Sequence, residues 1–250
     1  MGRSRAALTH LGPSLLVLAI IAGFILLAWY PYPFLQFKEN DKFSLLLIIS
    51  AGFLGPAMTW LVCTEGKRAR LVLLDLVIIV LIQLVAIAWG VNALYLNRPY
   101  FMVFTVDRFE VLSIRDVDIT GITNPEFLGK PFKGPILLYA NMPKDDRGFQ
   151  KLLQEVMFEG KPDLQFRPEF WSIYQQKQHL ALEVSRPLLE LRDARSESAG
   201  VIDELVENNG GDISSMQFVP AMLPDGQFAV ILDGDNGAII DMLVIDPWVN

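Results

Sequence analysis

The sequence predicts a membrane protein in which three N-terminal transmembrane helices precede a small α+β soluble domain with an antiparallel sheet. Three observations predict it. Residues 1–96 are apolar runs separated by short polar breaks, each run about as long as the roughly 20 residues a bilayer demands. Residues 97–250 contain no further run of that length and switch to short alternating and helical patterns. Charge divides at the same place. Residues 1–96 hold seven Lys and Arg against four Asp and Glu, a balance of +3, whereas residues 97–250 hold fourteen against twenty-four, a balance of −10. The bulk figures, 52% hydrophobic and net charge −7, average these unlike parts. So acidic a domain argues against nucleic acid as a partner and against adhesion of that domain to anionic lipid.

The first span, about 11–30, follows the basic start Arg3 and Arg5 and is too long for a signal-peptide core. It reads as a retained anchor. Trp29-Tyr30 suit the lipid–water interface, and Pro31 and Pro33 then stop the helix, because proline donates no backbone hydrogen bond. A polar loop, 36–42, leads to the second span, about 43–63, in which Gly52, Gly55 and Pro56 predict close helix packing with a kink. Residues 64–70 carry Lys67, Arg68 and Arg70 against Glu65, whereas in the opposite loop Lys38 and Lys42 are balanced by Glu39 and Asp41. The positive-inside rule then puts the N-terminus in the cytoplasm and the soluble domain outside, which in a two-membrane bacterium is the periplasm. The third span, about 71–96, holds Asp75, Gln83 and Asn92. Asp75 lies a turn from the basic loop, within reach of Arg70 or Lys67. Gln83, near mid-bilayer, must face a polar partner, either inside the bundle or on the spanning helix of another protein.

Beyond Arg98-Pro99, residues 101–112 alternate as a strand, which 113–119 extend or pair with. Residues 121–134 form a loop, 136–139 a short strand, and 144–160 a helix with Phe149, Leu152, Leu153 and Val156 at helical spacing. A longer amphipathic helix is expected after Pro168, its stripe running from Phe170 through Ile173, Tyr174, Leu180 and Ala181 to Val184; Pro187 interrupts it, and Ser185 can cap a further turn or two through Leu191. A short helix at 201–206 precedes three strands, 216–223, 227–232 and 238–245, joined by Gly-containing turns.

No catalytic constellation emerges. His10 and His179 are the only histidines, so no hydrolytic triad can be built around a pair of them. Cys63 is the only cysteine, which excludes an internal disulfide and a thiolate metal cluster. The Asp233–Gly237 stretch fails the EF-hand pattern, because Gly237 and Val244 stand where ligands are required. Phosphate-binding glycine loops are absent. Asp107 and Arg108, as neighbours in a strand, should point to opposite faces. The residues alone thus predict a membrane-anchored interaction domain, with a sensor or small-molecule-binding domain nearly level with it. A membrane enzyme using Asp107, Asp233 or Asp246 is the least favoured reading.

The order of landmarks resembles the type IV pilin accessory proteins (the TfpX/TfpZ family) of Gram-negative bacteria. The landmarks are Trp29-Tyr30-Pro31-Tyr32-Pro33-Phe34, Leu54-Gly55-Pro56 with Thr59, Lys67, Asp75-Leu76, Gln83, Ala88-Trp89-Gly90, Arg98-Pro99, Phe104 to Phe109 (ending Asp107-Arg108-Phe109) and, weakly, Ile245-Asp246-Pro247-Trp248. Ala57-Met58 and Tyr100 depart from the pattern by exchanging one apolar residue for another. The resemblance implies a non-enzymatic inner-membrane protein, without cofactor or metal, that accompanies one type IV pilin and influences pilus assembly or dynamics. Its expected partners are the pilin, met laterally at both its membrane helix and its periplasmic head, the bilayer, and other pilus assembly components. Tyr30, Pro31, Pro33, Gly55, Pro56, Asp75, Gln83, Arg98, Pro99, Asp107, Arg108 and Phe109 are the expected family-motif or partner-contact residues.

Overall fold

Long apolar runs satisfy their backbone most simply as helices, and the computed structural model follows that rule even across Pro13 and Pro56. It describes residues 2–38, 49–64, 67–129 and 134–249. The chain divides into two units, one comprising Met1–Pro31 and Lys38–Arg98, the other Tyr32–Phe37 and Pro99–Asn250.

The first unit is helical. Helix α1 (Arg3–Phe24) continues as a wider turn, Ile25–Trp29, closed by the Tyr30 amide donating to the Ile25 carbonyl at 3.0 Å. Helix α2 (Gly55–Val62) follows a similar wide turn, Ser50–Leu54. Helix α3 (Ala69–Leu96) has 28 residues, a length of about 42 Å. Among the described residues, two helices are long and apolar enough to cross a membrane, Arg3–Trp29 and Ala69–Leu96. The second expected span, 43–63, is represented by the shorter apolar helix Gly52–Val62, and its first residues, 43–48, lie outside the described residues.

The second unit is built on one eight-stranded sheet. Its strands are β1 (Phe101–Thr105), β2 (Arg108–Leu112), β3 (Ile136–Ala140), β4 (Trp171–Ile173), β5 (Arg186–Pro187), β6 (Met216–Leu223), β7 (Gly226–Asp233) and β8 (Ile239–Leu243). They lie in the order β4-β3-β1-β2-β6-β7-β8, with β5 also on β6. Among the described residues the α-helices α4 (Asp146–Phe158), α5 (Leu188–Ala194) and α6 (Ala199–Asn208) accompany them. Asp145 starts α4 by accepting the Gly148 amide at 2.8 Å, which satisfies a donor the first helical turn leaves open. Helix α4 contributes Leu152 to one core with Phe101, Val103, Leu138 and Trp171. Helices α5 and α6 contribute Leu188, Leu191, Ile202 and Leu205 to a second core, with Phe218, Ala229 and Ile231.

Four expectations need correction. The sheet is mixed, not antiparallel: β1 pairs β3 in parallel and β2 pairs β6 in parallel, because each of these strands returns through a long connection and not a hairpin. The strand expected over 101–112 is a tight hairpin that turns at Val106-Asp107, where Val106 adopts φ 53°. Neither glycine nor proline marks that bend, and Asp107 is its one turn-favouring residue. Residues 113–116 close a polar turn, with Asp116 accepting from the Ser113 amide at 2.7 Å, and do not extend the strand. The helix expected after Pro168 is instead a series of short 3-10 turns around β4. The aromatic residues of its stripe serve different partners: Phe170 packs against the first core, beside Trp171, while Tyr174 packs on Phe109 and donates its hydroxyl to the Gly237 carbonyl at 2.8 Å. The three C-terminal strands form the expected antiparallel meander.

Candidate functional site

In the helical unit, Gly55 and Thr59 stand one turn apart on α2, the spacing that puts them on one face. Opposite them are His10 of α1 and Gln83 of α3. The His10 ring lies between the two helices, Nδ1 at 2.5 Å from the Thr59 hydroxyl and Nε2 at 2.8 Å from Gln83 Oε1. An amide oxygen only accepts, so Nε2 carries a proton and donates; in the neutral ring Nδ1 accepts from Thr59. Thr59 and Gln83 are both buried. A Cβ on Gly55 would overlap the Gln83 amide, so glycine serves close approach here, not backbone conformation.

The two ends of this unit are held differently. At one, Lys67 pairs with Asp75, as the sequence led one to expect. A cavity of about 830 Å³ opens there, with Thr9, His10, Thr59 and Lys67 on its polar side and Val72 and Leu76 on its apolar side. At the other, the Tyr30 hydroxyl donates to the Leu94 carbonyl at 2.9 Å, and the buried Arg98 guanidinium lies over the Tyr95 ring at 4.6 Å and the Trp29 ring at 5.9 Å. These contacts place a cation on ring faces that attract it.

In the second unit, Phe34 and Phe37 both pack against Phe228, each ring centroid 5.9 Å from that of Phe228. Phe34 and Phe228 are fully buried, and a Cβ on Gly226 would meet the Phe37 ring. Pro33 and Pro99 are buried, Pro31 is half-buried, and Pro56 occupies the first turn of α2, where its missing N–H costs little. Phe109 is sealed between Phe104 and Tyr174. Asp107 is exposed at the hairpin turn, 3.7 Å from Arg108, which in turn holds Glu110 at 2.9 Å. Burial pushes the Glu110 carboxyl up, and the Arg108 bond offsets part of that.

The landmark residues divide between the two units. Tyr30, Gly55, Asp75, Gln83 and Arg98 hold helices, whereas Pro33, Pro99 and Phe109 belong to the sheet unit. Gln83 accepts from His10 inside its unit and is mostly buried. The carboxylates considered for catalysis each have local work. Asp233 accepts the amides of Asp235 and Asn236 at 2.8 and 3.3 Å, and Asp246 binds Arg195 at 2.6 Å.

Sequence reasoning missed the face that α4 turns to solvent. Phe149, Leu153 and Met157 recur every four residues and are all exposed, and Phe158 beside them is 80% exposed. Leu152 faces inward, as does Glu155, whose carboxylate takes Arg167 at 2.7 Å and Lys161 at 3.0 Å. The hydrogen bond from Lys161 first, then that from Arg167, holds the Glu155 carboxyl below its ordinary range. Its charge is fully answered by neighbours, which leaves the apolar stripe as the outward feature of the helix. Signal for it existed in Met157-Phe158, apolar residues beyond the stripe that the core requires.

A family model described as "Fimbrial assembly protein FimB" matches residues 1–37, the stretch from α1 to Phe37. The chain is 29% identical over 187 residues to the fimbrial assembly protein of serogroup I of Dichelobacter nodosus, covering 72% of this chain and 70% of that protein. It is 34% identical over 108 residues to the fimbrial assembly protein of serogroups C1 and C2 of the same organism, covering 43% of this chain and 82% of that protein. No solved structure matches the chain.

Proposed function

Because the chain belongs to the fimbrial assembly protein family, a type IV pilus assembly-related family, we propose that it is a non-enzymatic accessory of one type IV pilin at the bacterial inner membrane. Its helical unit lies in the bilayer with the N-terminus in the cytoplasm, and its sheet unit lies in the periplasm. The two long apolar helices support membrane association, and the basic residues at 3, 5, 67, 68 and 70 support the orientation. A pilin awaiting assembly offers an apolar helix and a globular head, so recognition takes place at both levels.

The observation that carries this reading beyond family membership is the exposed face of α4. An apolar stripe with two phenylalanines, on a domain of charge −10, has the composition of a protein contact and not of a solvated surface. We assign it to the pilin head. Deleting the chain in its host should lower surface pilin while total pilin persists. A Met157→Glu/Phe158→Glu double variant should reproduce that loss with the protein still present at wild-type level, since neither side chain belongs to the core. Normal piliation in the deletion strain would reject the accessory role. Normal piliation in the double variant alone would reject only the assignment of α4.

A further inference from the structure

We infer that the cavity at the basic end of the helical unit is a binding site for the phosphate headgroup and upper acyl chain of an anionic phospholipid. The inference rests on the membrane-spanning reading above. Three features of the lining carry it. Its volume, about 830 Å³, lies within the range of ligand sites. Its polar side carries the Lys67 ammonium and the hydroxyls of Thr9 and Thr64, with no aspartate or glutamate among the described residues that line it. Its apolar side carries Val72, Leu76 and Val80, four residues apart along α3, a stripe about 12 Å long. A cation and hydroxyls beside an apolar track match an acidic headgroup joined to a hydrocarbon chain, and neither half alone matches the whole lining.

The surroundings point the same way. The cavity is bordered by the start of α1, the end of α2 and the start of α3. Arg3, Arg5, Arg68 and Arg70 belong to those turns and are exposed. Under the orientation proposed above, that end meets the cytoplasmic leaflet, where anionic lipids collect and where basic pockets between spanning helices hold their headgroups. Lys67 has three donors, and Asp75 can occupy only part of that capacity. A phosphate can therefore join the pair without breaking it.

Cys63, the only cysteine, lines the cavity and reports its occupancy. The test measures the rate at which a small methanethiosulfonate reagent modifies Cys63 in the full chain. The chain is reconstituted in nanodiscs of phosphatidylcholine, with and without phosphatidylglycerol. Phosphatidylglycerol should slow the reaction about fivefold, the worth of one basic contact to an anionic surface. Lys67→Gln should remove that protection. Asp75→Asn, which releases Lys67, should strengthen it. A merely structural ion pair would instead make both variants alter labelling alike in either lipid. Equal labelling in the two lipids, or equal protection by inorganic phosphate in phosphatidylcholine discs, would overturn the inference. Recovery of the chain in carbonate-washed host membranes is measured alongside. Its absence there would sink the membrane reading itself, whereas its presence without lipid selectivity sinks only this site.

Discussion

At the residue scale, the feature with the clearest physical consequence is the contact between Gly55 and the Gln83 amide. An alanine there would push the amide aside, and since that amide is the free end of a flexible side chain, steric cost alone is small. What is lost is its bond to His10, and interhelical hydrogen bonds of this kind contribute about 0.6 to 1.7 kcal/mol. Gly55→Ala should therefore lower the melting temperature of the detergent-solubilised chain by about 1 kcal/mol equivalent. In a Gln83→Ala background the same change should have almost no effect, and a double-mutant cycle measures the difference. Val106 makes the opposite prediction. A β-branched residue at φ 53° carries backbone strain of about 1 kcal/mol, and the side chain is mostly exposed, so little packing is given up by replacing it. Val106→Asn should raise the stability of the hairpin by about that amount, read as a higher thermal midpoint.

At the element scale, the short segment 32–37 matters more than its length suggests. It follows the first helix in sequence yet belongs to the sheet unit, where Phe34 and Phe37 cover Phe228. Removing a buried phenylalanine costs roughly 3 to 5 kcal/mol through lost transfer energy and the cavity left behind. Phe34→Ala should therefore destabilise the sheet unit by about that much, visible as earlier unfolding of its sheet signal by circular dichroism. Leu35, exposed between them, should tolerate alanine with a change below about 0.5 kcal/mol. The family model that matches residues 1–37 ends where this docked segment ends, so the matched stretch includes both the first helix and its aromatic extension.

At the scale of the whole molecule, acid sensitivity follows from the carboxylates that the fold keeps ionised. The Glu155 carboxyl is held below its ordinary value of 4.5 by Lys161 and Arg167, and the Asp203 carboxyl below 3.8 by Arg192. A group depressed by folding contributes stability that is complete above its unfolded value and disappears as pH falls through the lower folded one. Stability should thus hold down to about pH 4.5 and decline below it. Glu110 works the other way: its carboxyl is raised by burial, so protonation relieves a cost as the pH falls through its folded value. Thermal melts from pH 7 to pH 3 should show the net decline, and Glu155→Gln should start lower at pH 7 and fall less steeply. An equal slope in the variant would remove Glu155 from the account.

The sequence by itself determined the class of the molecule: apolar helices first, an acidic sheet domain after them, a C-terminal meander, and a pairing of Asp75 with the basic loop, for which it offered Arg70 or Lys67. Each of these is a local matter of run length, alternation, turn residues or nearest opposite charge, and such terms are additive along the chain. Only the tertiary structure decided that β1 and β3 run parallel, that 101–112 folds back at a valine, and that Phe170 and Tyr174 of the expected helical stripe serve separate partners. It also decided that His10 meets residues 49 and 73 positions away, and that Phe149, Leu153 and Met157 face outward. The physical reason is common to all of them. Apolar spacing records that a face is to be covered, whereas the identity of what covers it depends on which distant segments compete for the same surface, and that competition is resolved only when the chain has folded.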